Sequence, residues 1–102
     1  MKSVEPEAVI KIQYFGAIRA ASHTFEETIT VSGNETVYRV LQGLAQVHGK
    51  EFECEVFVNE EGLRDDVMVT VNGTVVAHAS ILEIEVKSGD VIALFPLFPG
   101  GG

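Results

Sequence analysis

From Ala8 to Phe15 the chain alternates, with Ile10, Ile12 and Tyr14 on one side and Lys11 and Gln13 on the other. That is the period of a strand with one face in a core. Gly16 breaks the run, and Ala17 to Ser22 fits a turn of helix or a loop. Thr24 to Val31 is again rich in β-formers, with Phe25, Ile29 and Val31 on one side and Thr24, Glu26, Thr28 and Thr30 on the other. Glu27 falls on the apolar side, which places this strand near a sheet edge. The short connection between the two predicts an antiparallel hairpin.

The period then changes. After the turn residues Ser32-Gly33-Asn34, Thr36 stands where an N-cap belongs. Val37, Val40, Leu41, Leu44 and Val47 recur at helical spacing, and Gly49 fits the C′ position. Gly43 inside this helix costs about 1 kcal/mol against alanine, and the sequence shows no reason for it. Val56-Phe57-Val58, before Asn59-Glu60-Glu61-Gly62, reads as a short strand and turn inserted at the sheet's edge. Val67, Val69 and Val71 alternate with Met68 and Thr70, and Asn72-Gly73 turns the chain into Thr74-Val75-Val76. Ile81 to Val86 alternates as a short strand does, and Ser88-Gly89-Asp90 is another turn. Val91-Ile92-Ala93-Leu94-Phe95 is a continuous apolar run bounded by Pro96, the pattern of one buried strand. A hairpin, one main helix and several short strands predict an α+β domain, a mixed sheet packed on that helix. The expected organisation is an N-terminal tail at 1–7, a domain at 8–96 and a flexible glycine tail at 97–102.

A chain of 102 residues with 46% hydrophobic content and a mean hydropathy of +0.23 can bury a core. No apolar stretch is long enough to span a membrane, and Met1 to Glu7 lacks the apolar run of a signal peptide. Cys54 stands alone, which suits a reducing cytoplasm. The net charge of −8 argues against nucleic-acid binding and favours a basic protein partner. Glu51, Glu53, Glu55, Glu60, Glu61, Asp65 and Asp66 crowd one stretch with only Arg64 among them. A calcium-loop pattern is missing there, so the stretch reads as a solvated face and no metal site is expected.

No catalytic constellation is visible. His23, His48 and His78 lie far apart, without Cys or carboxylate at metal-ligand spacing. His48 stands at a helix end, where a cap or dipole role is the default. Cys54 lies between Glu53 and Glu55, neighbours that disfavour a thiolate, so it reads as structural or incidental. No enzyme activity is expected of these side chains.

The end of the chain carries the remaining signal. Pro96 cannot donate to a sheet, and Pro99 fixes its own φ and biases its neighbour towards extended geometry. Gly100, Gly101 and Gly102 carry no side chains, so the thread can enter a channel too narrow for any. Its only reactive group is the Gly102 carboxylate. A frayed terminus has the same composition.

Several segments resemble the ubiquitin-like sulfur carriers. They are Tyr14-Phe15-Gly16-Ala17-Ile18-Arg19, Thr36-Val37-Tyr38-Arg39-Val40-Leu41, Val71-Asn72-Gly73, Val86 through Pro96 with its Gly89-Asp90 turn, and the terminal glycines. That family includes the small subunit of molybdopterin synthase, the thiamine-pathway sulfur carrier and the small archaeal ubiquitin-like modifiers. The resemblance implies a β-grasp fold and a working C-terminal carboxylate. A ubiquitin-activating-type enzyme would adenylate it with ATP, and a persulfide donor would convert it to a thiocarboxylate, with no cofactor bound by the chain itself. In the molybdopterin branch the sulfur passes to a pterin precursor inside a large subunit, and in the modifier branch the glycine joins a lysine. A third reading is an inert β-grasp interaction module. Family tails commonly end in a diglycine that aligns with Gly100-Gly101, so either Gly102 is the working residue or it is trimmed to expose Gly101. If Ile92 and Leu94 face the core, Val91, Ala93 and Phe95 face away. With Leu97, Phe98, Pro99, Gly100 and Gly101 they form the expected partner-binding surface.

Overall fold

In a computed structural model, residues 7–58 and 62–97 are described. β1 (Glu7–Tyr14) buries Ala8, Ile10, Ile12 and Tyr14 and turns Val9, Lys11 and Gln13 outward. It begins at Glu7, one residue earlier than the alternation predicts. α1 (Gly16–Ser22) is a two-turn helix that buries Ile18 and Ala21, and it closes at His23 in the left-handed region, whose N–H donates to Arg19 O. β2 (Glu26–Ser32) pairs antiparallel with β1, Ile12 opposite Glu27 and Ile10 opposite Ile29. Phe25, expected on the inner face, precedes the strand and is 65% exposed.

α2 (Val37–His48) is bracketed as its sequence predicts. Thr36 Oγ1 accepts from Arg39 N at 3.2 Å, and Gly49 follows the helix at φ +100°. Val37, Val40, Leu41 and Leu44 are buried, whereas Val47 is 76% exposed. The expected strand at Val56-Phe57-Val58 is replaced by α3 (Lys50–Val56), which buries Phe52 and Val56, four residues apart on one face. Phe57 makes only an isolated bridge to Leu63.

β3 (Val67–Val71) and β4 (Thr74–Val76) form a hairpin across Asn72-Gly73, both at positive φ. Ile81 to Val86 is not a strand. A 3₁₀ turn at Ser80–Leu82 buries Ile81, and Val86 reaches the core from an extended segment that is bridged to the N-cap of α2 through Glu85 and Thr36. β5 (Val91–Pro96) runs parallel to β1 and antiparallel to β3, giving the sheet order β2-β1-β5-β3-β4. The helices cover one face of this sheet over a core that includes Ile10, Ile12, Tyr14, Leu41, Phe52, Ile92 and Leu94.

Candidate functional site

The site begins where β5 ends. Ile92 and Leu94 are fully buried on the helix side, as alternation requires. Phe95 turns to the other face and stacks on Phe15, ring centroids 4.3 Å apart and planes within 9°. Phe15 N donates to Leu94 O at 3.2 Å, so the aromatic pair is fixed by backbone as well as by ring contact. Gly16 lies at φ +58° against the Pro96 ring. Leu97 N donates to Asp66 O at 2.7 Å, which carries the clamp one residue past the strand, and the Leu97 side chain is 45% exposed.

The expected surface is thus partly assembled. Phe95 and Leu97 do flank the tail root, and Val91 is half-buried at the far end of the strand. Ala93 does not contribute: it is 4% exposed, because Gln13 and Thr70 flank it on the neighbouring strands and close over its single methyl. Phe98, Pro99, Gly100, Gly101 and Gly102 lie outside the described residues. One neighbour of the tail root, Phe15, was missed. Phe15 completes the aromatic pair, and Arg19 packs over the exposed Phe25 ring at 5.5 Å from its centroid. The glycine break after Phe15 was the available signal for a chain crossing at this point.

Other groups are structural. Tyr14 Oη donates to Glu27 Oε2 at 2.5 Å, and His48 Nε2 lies 2.5 Å from the same oxygen, with Phe52 edge-on to the Tyr14 ring. Burial, then the Glu27 carboxylate, hold the Tyr14 phenol far above its ordinary pKa. His48 therefore ties the end of α2 to the edge strand rather than serving as a cap. The Arg64 guanidinium bonded to Asp66 holds that exposed carboxyl below its usual range. Cys54 is a free, exposed thiol. Among the described residues no group of His, Cys, Asp or Glu could hold a metal ion, and no helix is long and apolar enough to cross a membrane. A groove of about 460 Å³ between α2 and α3, lined by Tyr38, Ala45, Lys50, Glu53 and Phe57, lies in the helix layer, away from the Phe15–Phe95 pair.

The sequence pattern of one family matches residues 12–101, from the middle of β1 to Gly101, under the description ThiS family. The chain belongs to the ThiS family. An Archaeoglobus fulgidus protein named "Putative sulfur carrier protein" is 35% identical over 66 residues, 65% of this chain and 74% of its own. Among solved structures, SAMP1 from Haloferax volcanii superposes with a TM-score of 0.78 at 26% identity, covering 92% of this chain and all of that one (100%). A Pyrococcus furiosus protein named "Putative molybdopterin converting factor, subunit 1" superposes at 0.70 with 30% identity, over 89% of this chain and 99% of its own. This ThiS-family chain therefore has the β-grasp, ubiquitin-like fold, and the resemblance read from its motifs holds over nearly its whole length.

Proposed function

We propose that this chain is a sulfur carrier whose working group is the C-terminal carboxylate, on Gly102 or on Gly101 after trimming. The supporting observation is the tail root. A strand clamped on both sides ends at Pro96 and Leu97, next to the stacked Phe15 and Phe95, and the sequence runs on through Phe98 and Pro99 to three side-chain-free residues. A carboxylate is a poor electrophile, so a ubiquitin-activating-type partner joins it to AMP at the expense of ATP. The terminal sulfur of a persulfide then displaces AMP, and cleavage of the S–S bond by a thiol reductant leaves the thiocarboxylate. The chain is the carrier and the partner is the enzyme. Phe15, Phe95 and Leu97 are the apolar anchor for that partner, and the −8 charge steers a basic surface towards it. The lone exposed thiol of Cys54 suits a reducing cytoplasm.

The likeness to the Pyrococcus protein favours delivery of the sulfur to a pterin precursor within a two-subunit synthase, as the source of molybdenum or tungsten cofactor. The likeness to SAMP1 supports a second reading, conjugation of the terminal glycine to lysines of other proteins. The intact mass of the protein from its own cells separates them. A species ending at glycine with one oxygen replaced by sulfur supports the carrier. Unmodified protein beside lysine-linked conjugates supports the modifier, and unmodified protein without conjugates overturns both.

A further inference from the structure

β2 is one edge of the sheet. Its register with β1, and the bond from Tyr14 N to Phe25 O at 3.0 Å, direct the backbone groups of Glu27, Ile29 and Val31 towards β1. Those of Glu26, Thr28 and Thr30 point away from the sheet. At Glu26 the outward carbonyl accepts from Thr24 Oγ1 at 3.0 Å and the N–H lies 3.4 Å from the same hydroxyl. At the other end the Ser32 carbonyl accepts from Glu35 N at 3.1 Å. Between these occupied ends Thr28 and Thr30 present their N–H and C=O groups to the open edge. The stretch Thr28-Ile29-Thr30-Val31-Ser32 has no charge and no proline to guard it.

The helix above repeats the pattern. Tyr38 and Ala45 lie on the flank of α2 that faces α3. Tyr38 also lines a groove with His78, which donates to Val67 O of β3, so Gly43 and Val47, four residues apart on the opposite flank, lie on the β2 side. Val47 is exposed, and a Cβ added at Gly43 would meet nothing within 4 Å.

We propose that a second copy of this chain covers this edge, the two β2 strands pairing antiparallel about a two-fold axis at Ile29. Thr28 of each copy pairs with Thr30 of the other and exchanges both backbone bonds, while the two Ile29 side chains meet on the helix side. An axis one residue either way would put Glu26 or Ser32, whose carbonyls are already taken, against an open threonine. The Ile29 axis also sets Glu26 and Glu27 opposite Ser32 and Val31, so no carboxylates oppose each other across the seam. The occupied ends stop the seam from lengthening, which makes the contact closed and two-fold. The α2 helices come side by side over it, Val47 supplying the apolar contact and Gly43 the room for close approach. β1 separates β2 from β5, so both tail roots stay uncovered. The seam is small and joins copies of like charge, so the dimer is weak and strengthens with salt.

The test is sedimentation of the full chain over a concentration series at low and high salt, with amide exchange of Thr28 and Thr30 followed in parallel. A concentration-dependent dimer in which these two amides become protected is expected. Thr30→Pro removes an outward donor without touching the β1 ladder, and Val47→Glu changes a side chain the fold does not bury. Each weakens the dimer about tenfold or more. A monomer under all conditions, or a dimer that leaves the exchange of Thr28 and Thr30 unchanged, overturns the proposal. The monomer result would leave the edge to an extended segment of another protein.

Discussion

A Cβ on Gly16 would lie 2.5 Å from Cγ of Pro96. The first residue of α1 and the last residue of β5 are thus in contact through a missing side chain, at a backbone angle of φ +58° that side chains resist. Gly16→Ala is expected to cost about 1–2 kcal/mol from the backbone alone, and more from displacing the proline ring. A lowered urea midpoint at unchanged slope, with shifted amide resonances at Leu97, would show it. Gly43→Ala is the opposite case, an open helical site, and should raise stability by about 1 kcal/mol.

Tyr14 makes stability fall at high pH. Its phenol is buried and bonded to Glu27, and its pKa is raised well above the ordinary 10.0. Below about pH 10 folded and unfolded chains both keep the proton, and the contribution is complete. Above it the unfolded chain releases a proton that the folded chain retains, so stability drops by about 1.4 kcal/mol per pH unit. Tyr14→Phe should cost about 2 kcal/mol near neutrality and remove this part of the alkaline slope. Equal alkaline slopes for the two proteins would refute the assignment.

Asn72 fastens the β3–β4 turn to the strand that bears the tail. Its Oδ1 accepts from Val91 N at 2.9 Å and its Nδ2 donates to Asp90 Oδ1 at 3.0 Å, with φ at +53°. Asp90 Oδ2 in turn accepts from Lys87 N at 2.8 Å. Asn72→Ala should cost about 2 kcal/mol, and Asn72→Gly about 1 kcal/mol less, because glycine keeps the left-handed backbone. If thermal melts show equal losses, the backbone conformation carries none of the effect.

Phe15 and Phe95 should act in partner binding more than in folding. If the proposed function holds, Phe15→Asp raises KM for adenylation by the proposed activating partner about tenfold or more while kcat is largely kept. Val75→Thr, at the exposed far strand β4, is the control and should leave KM unchanged.

Much of this architecture is legible in the order of residues. β1, β3 and β5 each follow a clear apolar pattern, and Thr36 and Gly49 bracket α2 in sequence and structure alike. α3 is not legible, because Val56-Phe57-Val58 carries a strong β signal locally. Packing decides the matter instead: Phe52 lies edge-on to Tyr14 and against His48, and only a helix brings Val56 to the same face. Ile81 to Val86 fails for a related reason, since its core residues are met by a 3₁₀ turn and an extended segment without a strand partner. At the site, alternation gives the direction of Ala93 correctly but not its exposure, which depends on the longer side chains beside it. Phe15 reads as the end of a strand, and its pairing with Phe95, eighty residues on, has no local signature.

The position of β5 between β1 and β3 also sets how the molecule bears a pull on its tail. A strand at the rim could be peeled off rung by rung from its free end. Here a force applied at Leu97 along the strand axis loads the ladders on both sides at once, in shear. Such a pull is therefore borne by the whole sheet, and the domain behaves as a stiff handle for whatever is drawn from its end.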